Sequence, residues 1–134
     1  MRKAIFKHKY LSKGIYWMAT SLEALKNNSV IPLVMANHLG EITFINQKFA
    51  YLFKWHLDEI IGEPLSVIIP KHLHDAHHMG FSRFLATEKP TLLEQPLDLL
   101  AVTKDGIEFT AKHVIYAEKK GDHWQFLATI ESLK

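Results

Sequence analysis

The sequence predicts an α+β domain: one five-stranded antiparallel sheet with helices gathered on one side and an amphipathic helix in front of it. Three observations predict it. Helix-period and strand-period stretches follow one another as helix, two strands, short helices, one long helix and three strands. Strands that come in runs joined by tight turns pair antiparallel, and helices held apart from those runs cover one face of the sheet. The 134 residues are the length of one ordinary domain, and 48% apolar residues suffice for a core.

Ile15, Met18, Ala19, Leu22 and Leu25 recur at steps of three and four, which predicts an amphipathic helix over about residues 14–26. Asn27, Asn28 and Ser29 end it. IPLVMAN reads as a buried strand, His38-Leu39-Gly40 as a turn and EITFI as the returning strand, which together form a hairpin. NQKFAYLF follows, with Asn46 placed to cap a short helix. A further helical turn runs from His56 to Gly62, and Pro64 prevents its continuation. Pro70 opens the long helix, which reaches about Thr87. Strands are expected near 95–103, 107–117 and 123–131, with turns at Lys104-Asp105-Gly106 and Lys119-Lys120-Gly121-Asp122. Residues 1–29 form a basic segment and helix, and residues 30–134 the domain proper.

Composition excludes several function classes. With no cysteine there is no disulfide scaffold, thiolate zinc site, thiol nucleophile or cysteinyl–flavin photochemistry, and a reducing, cytoplasmic setting is expected. No apolar run approaches the roughly 18 residues of a membrane span. The start of the chain is a poor signal peptide, because it has no long apolar region. The net charge of +2 is too small to argue for nucleic acid. The charge is uneven, however: residues 1–28 carry six basic residues against Glu23 alone, while the rest carries ten against thirteen acidic. That basic head suits a solvated helix start, with a membrane surface or nucleic acid as the alternative. There is no GxSxG, P-loop, dinucleotide fingerprint or paired-carboxylate constellation, so no enzyme activity is expected.

The stretch PKHLHDAHHMGFSRFL holds four of the nine histidines. On a helix, Leu73, His77, Phe81 and Phe84 share one stripe with Gly80 beside it. His77 is then expected to face the sheet, while His72 and His78 lie at or near the surface. Three roles fit His77: a core histidine bonded to a backbone carbonyl, a haem ligand, or part of a zinc site with His74 and His78 spaced i, i+4. Zinc needs a third ligand, and Asp75 is the only acid nearby. In EFTAKHVIY, Phe109, Ala111, His113 and Ile115 share the more apolar face, so His113 is expected to enter the same interior from the opposite wall.

At this point the chain resembles a PAS domain. LGEITFINQKFAYLFKW resembles that family's opening through Gly40, Ile42, Asn46, Phe49 and Phe53. DEIIGEPLSVIIP resembles the next signature through Glu59, Ile61, Gly62, Pro64, Leu65 and Pro70. HHMGFSRFLATEKP is similar to the family's long helix, and KDGIEFTAKHVI to the turn and strand that follow. The resemblance spans about residues 30–131. It implies a cytoplasmic sensory input domain in signal transduction, two-component-like in setting. Such a domain binds a small ligand and signals through dimer geometry to an output domain or partner protein not present in this chain. The alternative is a ligand-free module for dimerisation or protein interaction.

Oxygen-sensing haem PAS domains carry their iron-binding histidine seven residues after the proline, and His77 stands seven after Pro70. The resemblance thus implies haem b on His77 and gas or redox sensing. Those sensors also place an Arg or a Met on the third strand, where this chain has Leu97 and Gln95. Neither matches, so the usual oxygen-stabilising group is absent, and from its expected inward facing His113 is the candidate substitute donor on the distal side. The pocket is expected to be lined by Leu73, Phe81, Phe84, Leu97, Leu99, Phe109, Ala111, Ile115 and Leu127.

Trp124, Phe126, Ala128 and Ile130 share one very apolar face of the last strand. If the helices cover the other face, this one is bare and marks an interface. A homodimer is therefore expected, joined through Trp124, Phe126 and Ile130 with Ile15, Met18, Leu22 and Leu25 of the first helix.

Overall fold

The computed structural model describes residues 21–88 and 94–133. Over these, five strands form one antiparallel sheet in the order β2-β1-β5-β4-β3. The strands are β1 (Leu33–Ala36), β2 (Ile42–Ile45), β3 (Leu97–Val102), β4 (Glu108–Lys120) and β5 (His123–Ser132). The helices are α1 (Leu22–Lys26), α2 (Gln47–Phe53), α3 (Leu57–Ile60) and α4 (His74–Thr87), with 3-10 turns at Leu65–Ile68 and Lys71–Leu73. The predicted α+β architecture is therefore present. The long helix differs in its first turn, which is 3-10: the Leu73 N–H closes on the Pro70 carbonyl at 2.9 Å before the α-helix begins.

Asn46 organises the front of the domain. Its side-chain oxygen accepts from Phe49 N–H at 2.9 Å, which caps α2, and from Leu33 N–H at 3.1 Å. Its amide donates to the carbonyls of Ile31 at 2.8 Å and Asn28 at 3.1 Å. One residue thus ties the chain entering β1 to the helix leaving β2. In the β1–β2 turn Gly40 takes φ +77°, and a Cβ there would stand 3.6 Å from the ring of Phe81.

The inner face of the sheet meets α2, α3 and the first 3-10 turn through Val34, Ile42, Ile45, Phe49, Phe53, Ile60, Ile68, Ala101, Ala111 and Ile130. Farther along the same face, α4 lays Phe81, Phe84 and Leu85 on Ala117, Trp124 and Phe126. The outer face is covered at β1 and β5 by α1, whose Leu22 packs with Leu33, Met35 and Leu127. All four residues of β1 are buried because both faces are covered.

This arrangement corrects the expected bare face of β5. Trp124, Phe126 and Ile130 point inward, under α4 and into the core. The reason lies in the pairing: His113 stands opposite Ile130, Ala117 opposite Phe126 and Lys119 opposite Trp124. Residues directly opposite across an antiparallel pair point to the same side. A hairpin loop of two residues, as found after Lys120, or of four pairs odd residues of β4 with even residues of β5. With His113 inward, Trp124, Phe126 and Ile130 must be inward too. Leu127, expected in the pocket, is on the outer face against Leu22 for the same reason. Leu22 and half-buried Leu25 do pack on the outer face, whereas Ile15 and Met18 lie outside the described residues.

Candidate functional site

The site residues expected from the sequence stand on two elements, α4 as one wall and the inner face of β3 and β4 as the other. One wall is the helix stripe predicted from the sequence. The rings of Phe84 and Trp124 meet edge-on with centroids 4.9 Å apart, and Phe81 lies 5.1 Å from Phe126. Going back along α4, His77 continues this row, half-buried, with its ring 6.0 Å from Phe81. The helix climbs about 5.4 Å per turn, close to the spacing of alternate strand residues. On the helix stripe His77 lies about one turn before Phe81, and Leu73 about one turn before His77.

The other wall is β3 and β4. Leu97 pairs with His113, Leu99 with Ala111 and Ala101 with Phe109, so all six share the inner face. Ile115 joins them opposite Ala128. Leu97, Phe109 and Ile115 are half-buried, and Leu99 is 41% exposed. The inner face is therefore least covered at the β3 edge, beside His113, while Phe81 and Phe84 fill it at the other end.

His113 is buried, and its Nδ1 lies 3.0 Å from the carbonyl oxygen of Ala111. A carbonyl only accepts, so Nδ1 carries the proton and Nε2 is left with its lone pair. Burial pushes the His113 pKa down despite that bond. Burial also lowers the His77 pKa, with help from the neighbouring imidazoles of His78 and His74. Both rings are therefore held neutral at pH 7. In this tautomer His113 has Nε2 as an acceptor.

The zinc alternative fails on geometry. His74 uses its Nε2 to donate to the Ile69 carbonyl at 2.7 Å, and its ring is 6.2 Å from that of exposed His78. Among the described residues no group of three or more His, Cys, Asp or Glu stands close enough to hold a metal ion.

Two features escaped the sequence reading. Glu88 ends α4 in the left-handed region, φ 57°, and its Oε2 accepts from Trp124 Nε1 and from Lys119 Nζ, both at 2.9 Å. Those bonds hold the Glu88 carboxyl below the usual range. Nothing in the local sequence marks Glu88, because its partners lie 31 and 36 residues away. The second is a cleft of about 220 Å³ on the outer face, lined by Glu23, Lys26, Met35, Phe44, Lys120 and Gln125 among others. It is polar and far from the histidine walls, on the opposite side of the sheet.

A family model described as the PAS fold matches residues 27–99, more than half of the chain. A PAS domain from Desulfitobacterium hafniense superposes with a TM-score of 0.65 at 17% identity, covering 81% of this chain and 97% of that one. The PAS domain of an HTR-like protein from Haloarcula marismortui gives 0.63 at 18% identity, covering 93% and 99%. A light-oxygen-voltage domain studied with a flavin analogue gives 0.63 at 19% identity, covering 88% of each chain. No curated protein matches the chain in sequence.

Proposed function

Because the chain belongs to the PAS family, we propose that it is a cytoplasmic sensory input module that holds a small ligand in the gap between α4 and β3–β4. The observation that carries this reading is the inner face left part-open at Leu97 and Leu99 beside buried His113, with half-buried His77 on the helix stripe. A ligand there touches the helix and the sheet at once. It shifts the balance between two arrangements only to the extent that it binds one better than the other.

Haem b fits the donor chemistry on the helix side. Metal ligation needs an unprotonated imidazole on a rigid element, and burial favours that form of His77. His77 would hold the group, and iron would make the domain responsive to a gas or to redox state. His113 would accept a hydrogen bond from the distal side. Flavin adduct chemistry has no cysteine to use.

The test is the absorption spectrum of protein made with haem precursor supplied, oxidised and reduced, beside His77→Ala. A stoichiometric Soret band lost in the variant is the expected result. A colourless, folded wild type that takes up no added haemin removes haem.

A second reading, a ligand-free module for dimerisation or protein interaction, draws on one observation: Phe81 and Phe84 already pack directly on Phe126 and Trp124, so part of the gap is filled by the protein itself. In either reading signalling runs through a homodimer built on the outer face and α1, joined to an output domain or partner. That face replaces the one first expected, because Trp124, Phe126 and Ile130 are covered.

A further inference from the structure

The cleft on the outer face of the sheet is shaped by a fault in the β1–β2 pairing. Met35 stands opposite Phe44, but Ala36 stands opposite Ile42, so Thr43 is the extra residue of a β-bulge. Ile42 and Ile45 both enter the core, and the two residues between them turn outward together. Regular alternation would send one of that pair inward. Thr43 and Phe44 therefore both line the cleft, over buried Met35 and Ala36 of β1. The turns at this end of the sheet are also held to each other. The rings of His38, next to Asn37 in the β1–β2 turn, and His123, opposite Lys120 in the β4–β5 hairpin, stack with centroids 3.9 Å apart.

Helix α1 adds Glu23 and Lys26 to the lining, and the hairpin adds Lys120 and Gln125. Lys26 Nζ lies 4.7 Å from the centroid of the Phe44 ring. Among the described residues neither Lys26 nor Lys120 has a carboxylate within ion-pair distance, and Glu23 has no cation. Asn37 is spent on its own turn, where it accepts from the N–H groups of Leu39 and Glu41 and donates to the Glu41 carboxylate. Two lysines against one glutamate leave the cleft a net charge of +1, which one negative charge balances. A phosphate group, at about −1.5 to −2, brings more charge than that. The volume of about 220 Å³ is below the roughly 300–1,000 Å³ of sites for drug-sized ligands, so the occupant is small.

We propose that this cleft binds a small organic monocarboxylate with a flat apolar body, the carboxylate between Lys26 and Lys120 and the body against Phe44 and Met35. Thr43 and Gln125 add a hydroxyl and an amide beside it. The site lies on the other side of the sheet from α4 and is independent of what the gap there holds. Because α1 is one wall, an occupied cleft ties this helix to β2 and to the end of β4.

The experiment is an amide chemical-shift titration of the full chain with benzoate, phenylacetate and 4-hydroxybenzoate, beside benzamide and inorganic phosphate. At least one of the carboxylates should saturate, with its shifts centred on Lys26, Thr43, Phe44 and Gln125, and should bind at least tenfold tighter than benzamide or phosphate. Lys26→Gln, Lys120→Gln and Phe44→Leu should each weaken it at least fivefold. Lys48→Gln, at an exposed lysine outside the cleft, should leave it unchanged. The proposal falls if none of the three carboxylates saturates, or if benzamide or phosphate binds as tightly. It falls equally if the shifts centre on Leu97, Leu99 and His113, which would put the carboxylate in the inner gap instead, or if both lysine variants bind undiminished. The comparison with benzamide uses the unaltered protein, so it decides even where a variant fails to fold.

Discussion

Asn46 does most for the front of the domain, because its four side-chain hydrogen bonds satisfy groups of three different segments. Asn46→Ala should cost about 2–4 kcal/mol in urea unfolding, a lost cap plus partly buried carbonyls and an N–H left without partners. Asn46→Asp keeps the acceptor and should fall between the two. His113 and His77 set the pH dependence. Their folded pKa values lie below the ordinary value near 6.5, so just below that pH the unfolded chain binds more protons than the folded one. Stability should be complete above pH 6.5 and should fall as pH is lowered through the depressed folded values. Urea midpoints at pH 7.5, 6.5 and 5.5 check this, and His113→Leu should flatten the fall. Asn46 was legible as a cap from its place before an apolar run. Its bonds to Leu33, Asn28 and Ile31 were not, because the sequence does not say which strand end folds back onto the cap.

Among the elements, α4 and β5 carry the contrast. The stripe through His77, Phe81 and Phe84 follows from the 3.6-residue period, and α4 has it. The facing of β5 does not follow from its own alternation, which says only that one side is more apolar. Its inward direction comes from the β4–β5 hairpin and the pairing of His113 with Ile130. Phe126→Ala should therefore destabilise the fold by about 3–5 kcal/mol, as for a large side chain deleted from a core, and leave the oligomeric state unchanged. On an exposed interface the outcome would be the reverse. Glu88 ties the end of α4 to the sheet. Glu88→Ala should shift Trp124 emission to the red by freeing its indole N–H to water. Glu88→Gly should lower the thermal midpoint less than Glu88→Ala, since glycine suits φ 57° without strain.

At the scale of the whole molecule the sheet separates two tasks. Its inner face holds the core, with His113 buried on it. Its outer face carries α1 over β1 and β5, with Glu118 accepting from Leu22 N–H at 3.4 Å. Toward β3 the described part of the outer face is more open, with Leu100 and Thr110 exposed and Lys112 paired to Glu131 at 3.1 Å. In the proposed dimer this surface meets its copy. A charge at half-buried Val114, which lies opposite Thr129 on that side, should dissociate the dimer without unfolding it. Sedimentation velocity on Val114→Glu, beside its circular dichroism spectrum, reads both.

Local rules were enough for the order of elements, the hairpin turns and the inward stripe of α4, because helix and strand periods, caps and turn residues act within a few positions along the chain. The four family-like segments, in their order, placed the chain among PAS domains on the same short-range information. Tertiary structure alone decided which face of β5 the helices cover and which proton His113 keeps. It also decided that His74 is spent on a backbone carbonyl and that Glu88 pins the helix end. Each of these depends on groups brought together from distant parts of the chain or on how deeply a ring is buried, and neither quantity is written in a window of neighbouring residues.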